Sequence, residues 1–290
     1  MKITDLLKER NTFSFEVFPP KEDVPLDALE HTLSRLCACA PDFISITYGA
    51  GGTNKGRSAD VCRLVKESGR TALPHFTCIG NTREMIDEYI ESYLDLGIEN
   101  VLLLRGDLPK GWTGTNGDFA HADSLIAHFR ERHPELAFGA ACYPETHIES
   151  DNQEEDVKYL RRKQDMGAGF FVTQLCHDAT AYERFAERLE KAGVTAPVIV
   201  GVMPILSRAG TIKMTLSNGC SIPAELAAII GKYEDDEEGF SEAGKEFTVR
   251  LIERYIAAGV RGLHLYTLNK HKEIAEIARH CDIDGFRAKR

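Results

Sequence analysis

Glu16 stands out among the residues of this chain that could do chemistry. It sits in the apolar run Phe13–Phe18, flanked by Phe15 and Val17 and followed by Pro19-Pro20. A glutamate in such a strand must reach a polar enclosure at the strand end or bear a desolvation cost. Burial raises a carboxyl pKa, which would make Glu16 a usable acid near neutral pH. The competing reading is a structural carboxylate paired to an arginine. Arg105-Gly106-Asp107 directly follows the run Val101–Leu104. The arginine offers a bidentate hold on an anion, and the glycine lets a ligand approach the backbone. His75, after Pro74 in a third run, reads equally as a ligand contact or a satisfied core residue. Tyr143-Pro144-Glu145 and His147 form a polar cluster just past a fifth run. Their spacing invites a metal, but no third ligand accompanies them, and no metal site is assigned. The block Arg161, Arg162 and Lys163 reads as a solvated helix face or as a partner for a cofactor phosphate.

These residues share a setting. Eight apolar, β-rich runs recur along the chain: Phe13–Phe18, Phe43–Thr47, Leu73–Cys78, Val101–Leu104, Ala137–Cys142, Phe170–Thr173, Pro197–Met203 and Gly262–Tyr266. Nearly every run ends in a polar side chain, among them Thr47, Gln174 and Tyr266. Helical patterns fill the gaps: Leu26–Cys37, Thr82–Asp95 with Thr82 as N-cap, Ala122–Arg132, Gln153–Asp165, Ala181–Ala192 and Glu242–Ala258. Strand–helix units repeated eight times predict an α/β fold, a single-domain (β/α)8 TIM barrel over residues 1–290, with its active site where the strands end. Gly49–Arg57 and Leu108–Gly117 read as loops on that face, and the acidic run Glu234–Glu238 as a solvated turn. After the eighth strand about twenty residues remain, enough for one helix of about 1.5 Å rise per residue and for no appended regulatory domain.

The bulk numbers agree with an enzyme. The 290 residues are 43% apolar and 28% charged, ordinary for a globular protein. The 45 acidic against 35 basic residues give a net charge of −10, which disfavours nonspecific nucleic-acid binding. The N-terminus carries no signal-peptide core, and no run approaches the roughly 18 apolar residues of a membrane span. The expected location is the cytoplasm, with the eight cysteines as reduced thiols. There is no GxGxxG or GxxxxGK[ST] loop, so any dinucleotide is not held in the Rossmann manner.

Phe13–Pro20 (FSFEVFPP), Ser45–Ala50 (SITYGA), Pro74–Cys78 (PHFTC), Leu104–Pro109 (LRGDLP), Tyr143–His147 (YPETH), Thr173-Gln174 and Leu265–Asn269 (LYTLN) occur together and in order. This set resembles the flavin-dependent methylenetetrahydrofolate reductases, in their bacterial form with a catalytic domain only. The resemblance implies noncovalent FAD, NADH or NADPH as hydride donor, and reduction of 5,10-methylenetetrahydrofolate to 5-methyltetrahydrofolate in one-carbon metabolism and methionine biosynthesis. It implies that Glu16 is the acid that opens the folate ring, and that Asp107 lies near flavin and pterin and tunes both. Thr47, His75, Arg105, Gly106, Tyr143, His147, Asp156, Arg162 and Lys163 match positions lining the FAD site. Gln174 matches a folate contact, and Tyr182 and Tyr266 the substrate end. A homo-oligomer is the usual state in the family.

Some positions depart from the pattern. Leu175-Cys176-His177 stands where aromatic residues precede the aspartate. Gly210 and Met214 stand where a glutamine and a stacking aromatic are common, and Lys270 replaces an arginine. Lysine keeps charge for a glutamate tail but loses the bidentate fork. These changes bear on the grip on nicotinamide and folate. They leave open an alternative, in which the chain is a flavin-carrying subunit that takes electrons from a partner protein. A non-redox aldolase or lyase is disfavoured by the absence of a Schiff-base lysine at a strand end.

Overall fold

The computed structural model describes residues 1–21, 23–48, 55–109 and 111–288, apart from the side chains of residues 55 and 56. Residues 49–54 of the glycine-rich loop and Lys110 of the second loop lie outside the described residues. Eight parallel strands close in chain order: β1 (Thr12–Val17), β2 (Phe43–Ile46), β3 (Thr71–Thr77), β4 (Asn100–Leu104), β5 (Ala137–Cys142), β6 (Phe170–Thr173), β7 (Val198–Val202) and β8 (Gly262–Tyr266). All eight expected strands are present, with ends shifted by at most two residues. Helices cover the outside, so the strands are buried on both faces, as parallel strands require.

Most helices fall where periodicity places them: α2 (Asp27–Cys37), α4 (Arg83–Asp95), α5 (Ala122–Arg132), α6 (Gln153–Met166) and α7 (Ala179–Lys191). Thr82 caps α4, its hydroxyl accepting from the Met85 amide at 3.3 Å. Helices α1 (Ile3–Glu9), α3 (Lys55–Glu67), α8 (Arg208–Ser217) and α9 (Ala224–Lys232) add to the expected set. Two expectations are corrected. The acidic run is only partly a turn: α10 (Glu237–Ala257) starts five residues before Glu242, because Asp236 caps it and Glu237 and Glu238 suit a helix N-terminus. The tail after β8 holds two helices, α11 (His271–Arg279) and α12 (Ile283–Ala288). Asp282 accepts from the Gly285 amide at 2.9 Å and starts the second.

The barrel interior divides along its axis. At the N-terminal end, Ile3 and Leu7 of α1 pack against the inward Phe43, Leu73, Leu102, Phe170 and Ile199. This end is an apolar plug. Toward the C-terminal end, the register sets Ser14 beside His264, and Glu16 beside both Ser45 and Tyr266. Inward positions there are polar.

Leu7 is 2% exposed and Lys8 is exposed. Leu7→Ala is expected to lower unfolding free energy by about 2–5 kcal/mol, and Lys8→Ala by no more than about 0.5 kcal/mol. Urea unfolding curves measure both. Equal small losses would mean that α1 does not plug the barrel.

Candidate active site

Period-two alternation turns Ser14 and Glu16 of β1, Ser45 of β2, His75 of β3, and His264 and Tyr266 of β8 toward one enclosure. Glu16 is 7% exposed and His264 1%. Glu16 Oε2 lies 3.3 Å from Ser45 Oγ, and 3.7 Å from both His75 Nε2 and His264 Nε2. Ser45 Oγ also lies 3.2 Å from His264 Nε2, and Ser14 Oγ 2.8 Å from His264 Nδ1. The ring of His264 stacks on Phe43 at 5.9 Å. Among the described residues no arginine pairs with Glu16; a serine and two histidines lie beside it instead.

This surrounding reverses the expected direction of the Glu16 pKa. Burial pushes the carboxyl up, but the His264 contact, the His75 charge and the Ser45 hydroxyl together hold it below the ordinary carboxylate value. Ligand-free Glu16 is therefore a carboxylate at neutral pH. Burial pushes His75 down to about 4, against the pull of Glu16, so its ring is neutral at pH 7. At 3.7 Å it makes no hydrogen bond, and its buried Nε2 has no partner among the described residues.

Tyr266 crosses the enclosure and donates to the Thr173 carbonyl at 2.6 Å. A Cβ at Gly201 of β7 would meet the Tyr266 hydroxyl at 2.5 Å, so glycine is what admits the ring. The loop after β8 ties back to β1: Thr267 Oγ1 donates to the Glu16 carbonyl at 2.6 Å, and the Asn269 amide exchanges two bonds with Phe18.

A second group gathers at β4–β6. Arg105 is bound bidentately by Glu149, so a carboxylate holds the fork read as an anion site. Asp107 is exposed, with Gly106 at φ 85° between it and Arg105. Its charge acts on Tyr143, whose hydroxyl burial pushes well up. The Tyr143 ring meets His147 edge-on at 4.6 Å, and the His147 amide donates to Asp156 at 2.9 Å. Lys163 reaches in from α6 to donate to the Ala141 carbonyl at 2.9 Å, and burial pushes its pKa down. Among the described residues, none gives the buried Thr47 Oγ1 a hydrogen bond.

Family comparison fits this layout. The family model for methylenetetrahydrofolate reductase matches residues 2–282. The chain belongs to the methylenetetrahydrofolate reductase family. It is 32% identical over 287 residues to methylenetetrahydrofolate reductase 1 of Schizosaccharomyces pombe, covering 96% of this chain and 48% of that one. It is 34% identical over 292 residues to methylenetetrahydrofolate reductase (NADH) 1 of Arabidopsis thaliana, covering 94% and 49%. The 5,10-methylenetetrahydrofolate reductase of Escherichia coli is 31% identical over 258 residues, covering 89% and 86%. The chain thus spans about half the length of the yeast and plant relatives it matches. Among solved structures, an uncharacterised Clostridium thermocellum protein that binds two copies of 5-methyl-5,6,7,8-tetrahydrofolic acid shares the fold. Its TM-score is 0.66 at 15% identity, covering 98% of this chain and 99% of that one.

Not every residue matched to the reductase family faces the barrel mouth. Tyr182 lies in the layer between barrel and helices, 7% exposed and edge-on to Tyr255 at 5.6 Å. Arg162 pairs with Asp123 of α5 at 2.6 Å. Gln174 is at the mouth, its amide donating to Asn218 at 2.9 Å and accepting from the Leu175 amide at 2.8 Å. Lys270 is exposed at the start of α11. Gly210 has a local reason: its amide donates to the capping Ser207, and a Cβ there would meet that hydroxyl at 2.7 Å. The sequence reading missed His264, Ser14, Asn218 and Glu149. His264 had a signal, since it stands two residues before Tyr266 and shares its face. Asn218 and Glu149 had none, because their partners lie 44 residues away. No helix among the described residues is long and apolar enough to cross a membrane.

Two buried histidines make the fold acid-sensitive. Burial pushes His75 and His177 from 6.5 to about 4. Between those values the unfolded chain binds more protons. Stability is therefore full above 6.5 and is lost as pH falls toward 4. The Glu16 contribution is lost only at lower pH, below the ordinary carboxylate range. Going from pH 7 to pH 5 should cost about 2 kcal/mol per histidine. Urea unfolding of His177→Gln should show a pH 7-to-5 loss smaller by about that amount. An undiminished loss in the variant would show that His177 is not held neutral.

Proposed function

We propose that the chain is a reductase that converts 5,10-methylenetetrahydrofolate to 5-methyltetrahydrofolate, with FAD as cofactor and NADH or NADPH as the electron source. The observation that carries the reading is a buried carboxylate, Glu16, hydrogen-bonded to Ser45 at the barrel mouth with His75 and His264 each 3.7 Å away, in a chain of this family. The names of the yeast, plant and bacterial relatives support the activity, and the plant name supports NADH.

The residues present fit a flavin. Thr47 Oγ1 and His75 Nε2 are buried polar atoms at strand ends without a partner among the described residues, and each would be satisfied by a hydrogen-bonding ligand. Arg105 and Lys163 would supply positive charge toward phosphates, with Arg162 at their edge. Gly106 would let the backbone close on the ligand, Tyr143 and His147 would wall it, and Asp156 would hold His147 in place. Bound FAD would supply hydride chemistry that no side chain possesses.

The chain's own part is binding and proton management. The two hydrogen bonds that fix Gln174 leave it one N–H and one lone pair for a pterin edge. Tyr266 forms a rigid wall beside that position. Lys270 would meet the carboxylates of a glutamate tail as a single charge. Asp107 would bias the charge of the bound pterin and flavin. A ligand over the mouth excludes water and favours the uncharged form of Glu16. Glu16 then protonates the ring nitrogen as the five-membered ring opens, and excluded water cannot compete for the reactive cation that results.

Glu16→Gln keeps size and hydrogen bonding but has no proton to give. Anaerobic stopped-flow is expected to show flavin reduction by NADH or NADPH nearly intact. Flavin reoxidation by methylenetetrahydrofolate should slow by about 10²–10⁴-fold. Equal slowing of both halves would mean that Glu16 holds the site together and does not act as the acid. A protein that takes up no FAD on reconstitution would end the reductase reading.

A further inference from the structure

A carboxyl held ionised is a poor proton source until something supplies the proton. The hydrogen bonds around Ser45 identify the supplier. Ser45 Oγ lies 3.3 Å from Glu16 Oε2 and 3.2 Å from His264 Nε2. A hydroxyl has one proton to donate and two lone pairs, so it donates to one neighbour and accepts from the other. Beyond the ring, Ser14 Oγ lies 3.2 Å from the Leu263 carbonyl and 2.8 Å from His264 Nδ1. The carbonyl only accepts. Ser14 therefore donates to it and accepts from Nδ1–H, which fixes a proton on that nitrogen.

Two arrangements then satisfy every atom. In the first, Nε2–H donates to Ser45 and Ser45 donates to the Glu16 carboxylate, with the imidazole cationic. In the second, protonated Glu16 donates to Ser45 and Ser45 donates to a bare Nε2. They differ by the position of one proton along Glu16–Ser45–His264.

We propose, building on the reductase reading, that Glu16, Ser45 and His264 form a proton relay in which His264 stores the proton that Glu16 delivers. In the transfer the Nε2–H bond breaks and Ser45 gains that proton. The original Ser45 O–H bond breaks in turn and its proton passes to Glu16 Oε2. The imidazole becomes neutral, the carboxylate becomes a carboxylic acid, and no electrons change hands. Solvent water restores the proton between turnovers. Stacking on Phe43 and the Ser14 bond keep the His264 ring from turning Nε2 away. Among the described residues, the titratable groups facing the relay are His75 from β3 and Tyr266 from β8. His75 has no hydrogen bond to Glu16 and is not a store. Tyr266 commits its proton to the Thr173 carbonyl. His264 is thus a positioning and supply residue, and of the three relay members only Glu16 touches the substrate.

The relay predicts a protonation state that can be seen without turnover. The purified flavoprotein with ¹⁵N-labelled histidines is followed by NMR at pH 7, with His264→Gln assigning the signal. The ring of His264 is expected to carry two protons, and Glu16→Gln should leave it with one, on Nδ1. Ser45→Ala cuts the path and keeps both ends. It should lower the ratio of folate-driven flavin reoxidation to flavin reduction at least about tenfold, a part of the general-acid contribution. Ser45→Thr, which keeps the hydroxyl, should restore the ratio. A singly protonated His264 in the unaltered protein, or a Ser45→Ala ratio equal to that of the parent, overturns the relay. If the unaltered flavoprotein is not reoxidised by the folate at all, the reductase reading fails instead, and the NMR result still decides where the proton lies.

Discussion

A carboxylate 7% exposed inside a barrel must have its charge met at short range, and no arginine among the described residues meets that of Glu16. The Ser45 hydroxyl and the His264 imidazole do so, with the neutral His75 ring 3.7 Å away, and this choice sets the character of the site. An arginine would hold its proton at all relevant pH values and lock the carboxylate in the charged state. Histidine titrates in the range where enzymes work, so a Glu–His pair can pass a proton in either direction. The strand register is what makes the pair possible. Closing β8 onto β1 sets Ser14 beside His264, and pairing β1 with β2 sets Glu16 beside Ser45. A slip of one residue would turn these side chains out of the barrel and bring apolar ones in.

That polar half-interior needs an apolar counterpart. Ile3 and Leu7 from α1 close the opposite end with Phe43, Leu73, Leu102, Phe170 and Ile199. The division follows the usual logic of the fold, with stability at the N-terminal face of the strands and chemistry at the C-terminal face. The buried polar atoms left without partners sort in the same way only in part. Thr47 Oγ1 and His75 Nε2 lie at the mouth, where a ligand can satisfy them. His177 Nδ1 lies in the loop after β6, on a ring that bonds Thr215 through Nε2 at 3.1 Å and makes the fold acid-sensitive.

The architecture was legible in the sequence because its signals are local. β-rich runs, Thr82 as a cap and glycines after helices each act within a few residues. The short helices α1, α8 and α12 were not, because their stability comes from packing against the barrel more than from propensity. The site was legible as a set of strand ends and illegible as a network. Glu16 announced itself by its apolar neighbours, but its pKa direction depended on His264, about 250 residues away. Burial alone argued for a raised value, and only the three-dimensional partners reverse it. Tyr182 shows the converse: a residue matched through the family resemblance, outside its motifs, whose helix turns it into the packing layer, against Tyr255.

The loop after β8 shows how firmly the barrel holds Glu16 in place. Leu268 and Asn269 are consecutive non-glycine residues at φ 49° and 58°. For leucine this left-handed conformation costs about 1–2 kcal/mol; asparagine tolerates it better. Such strain persists only where surrounding bonds over-determine it. Here they do: Asn269 exchanges two bonds with the Phe18 backbone, and Thr267 binds the Glu16 carbonyl through both its amide and its hydroxyl. Two of the four bonds end on Glu16 of β1 and two on Phe18, just past the strand. The strained turn thus acts as a clasp between the last strand and the first, at the point where the barrel closes. A carboxylate on a looser strand end could drift from Ser45 by the few tenths of an ångström that separate a hydrogen bond from a mere ionic contact, and the distinction between the 3.3 Å and 3.7 Å neighbours of Glu16 would be lost.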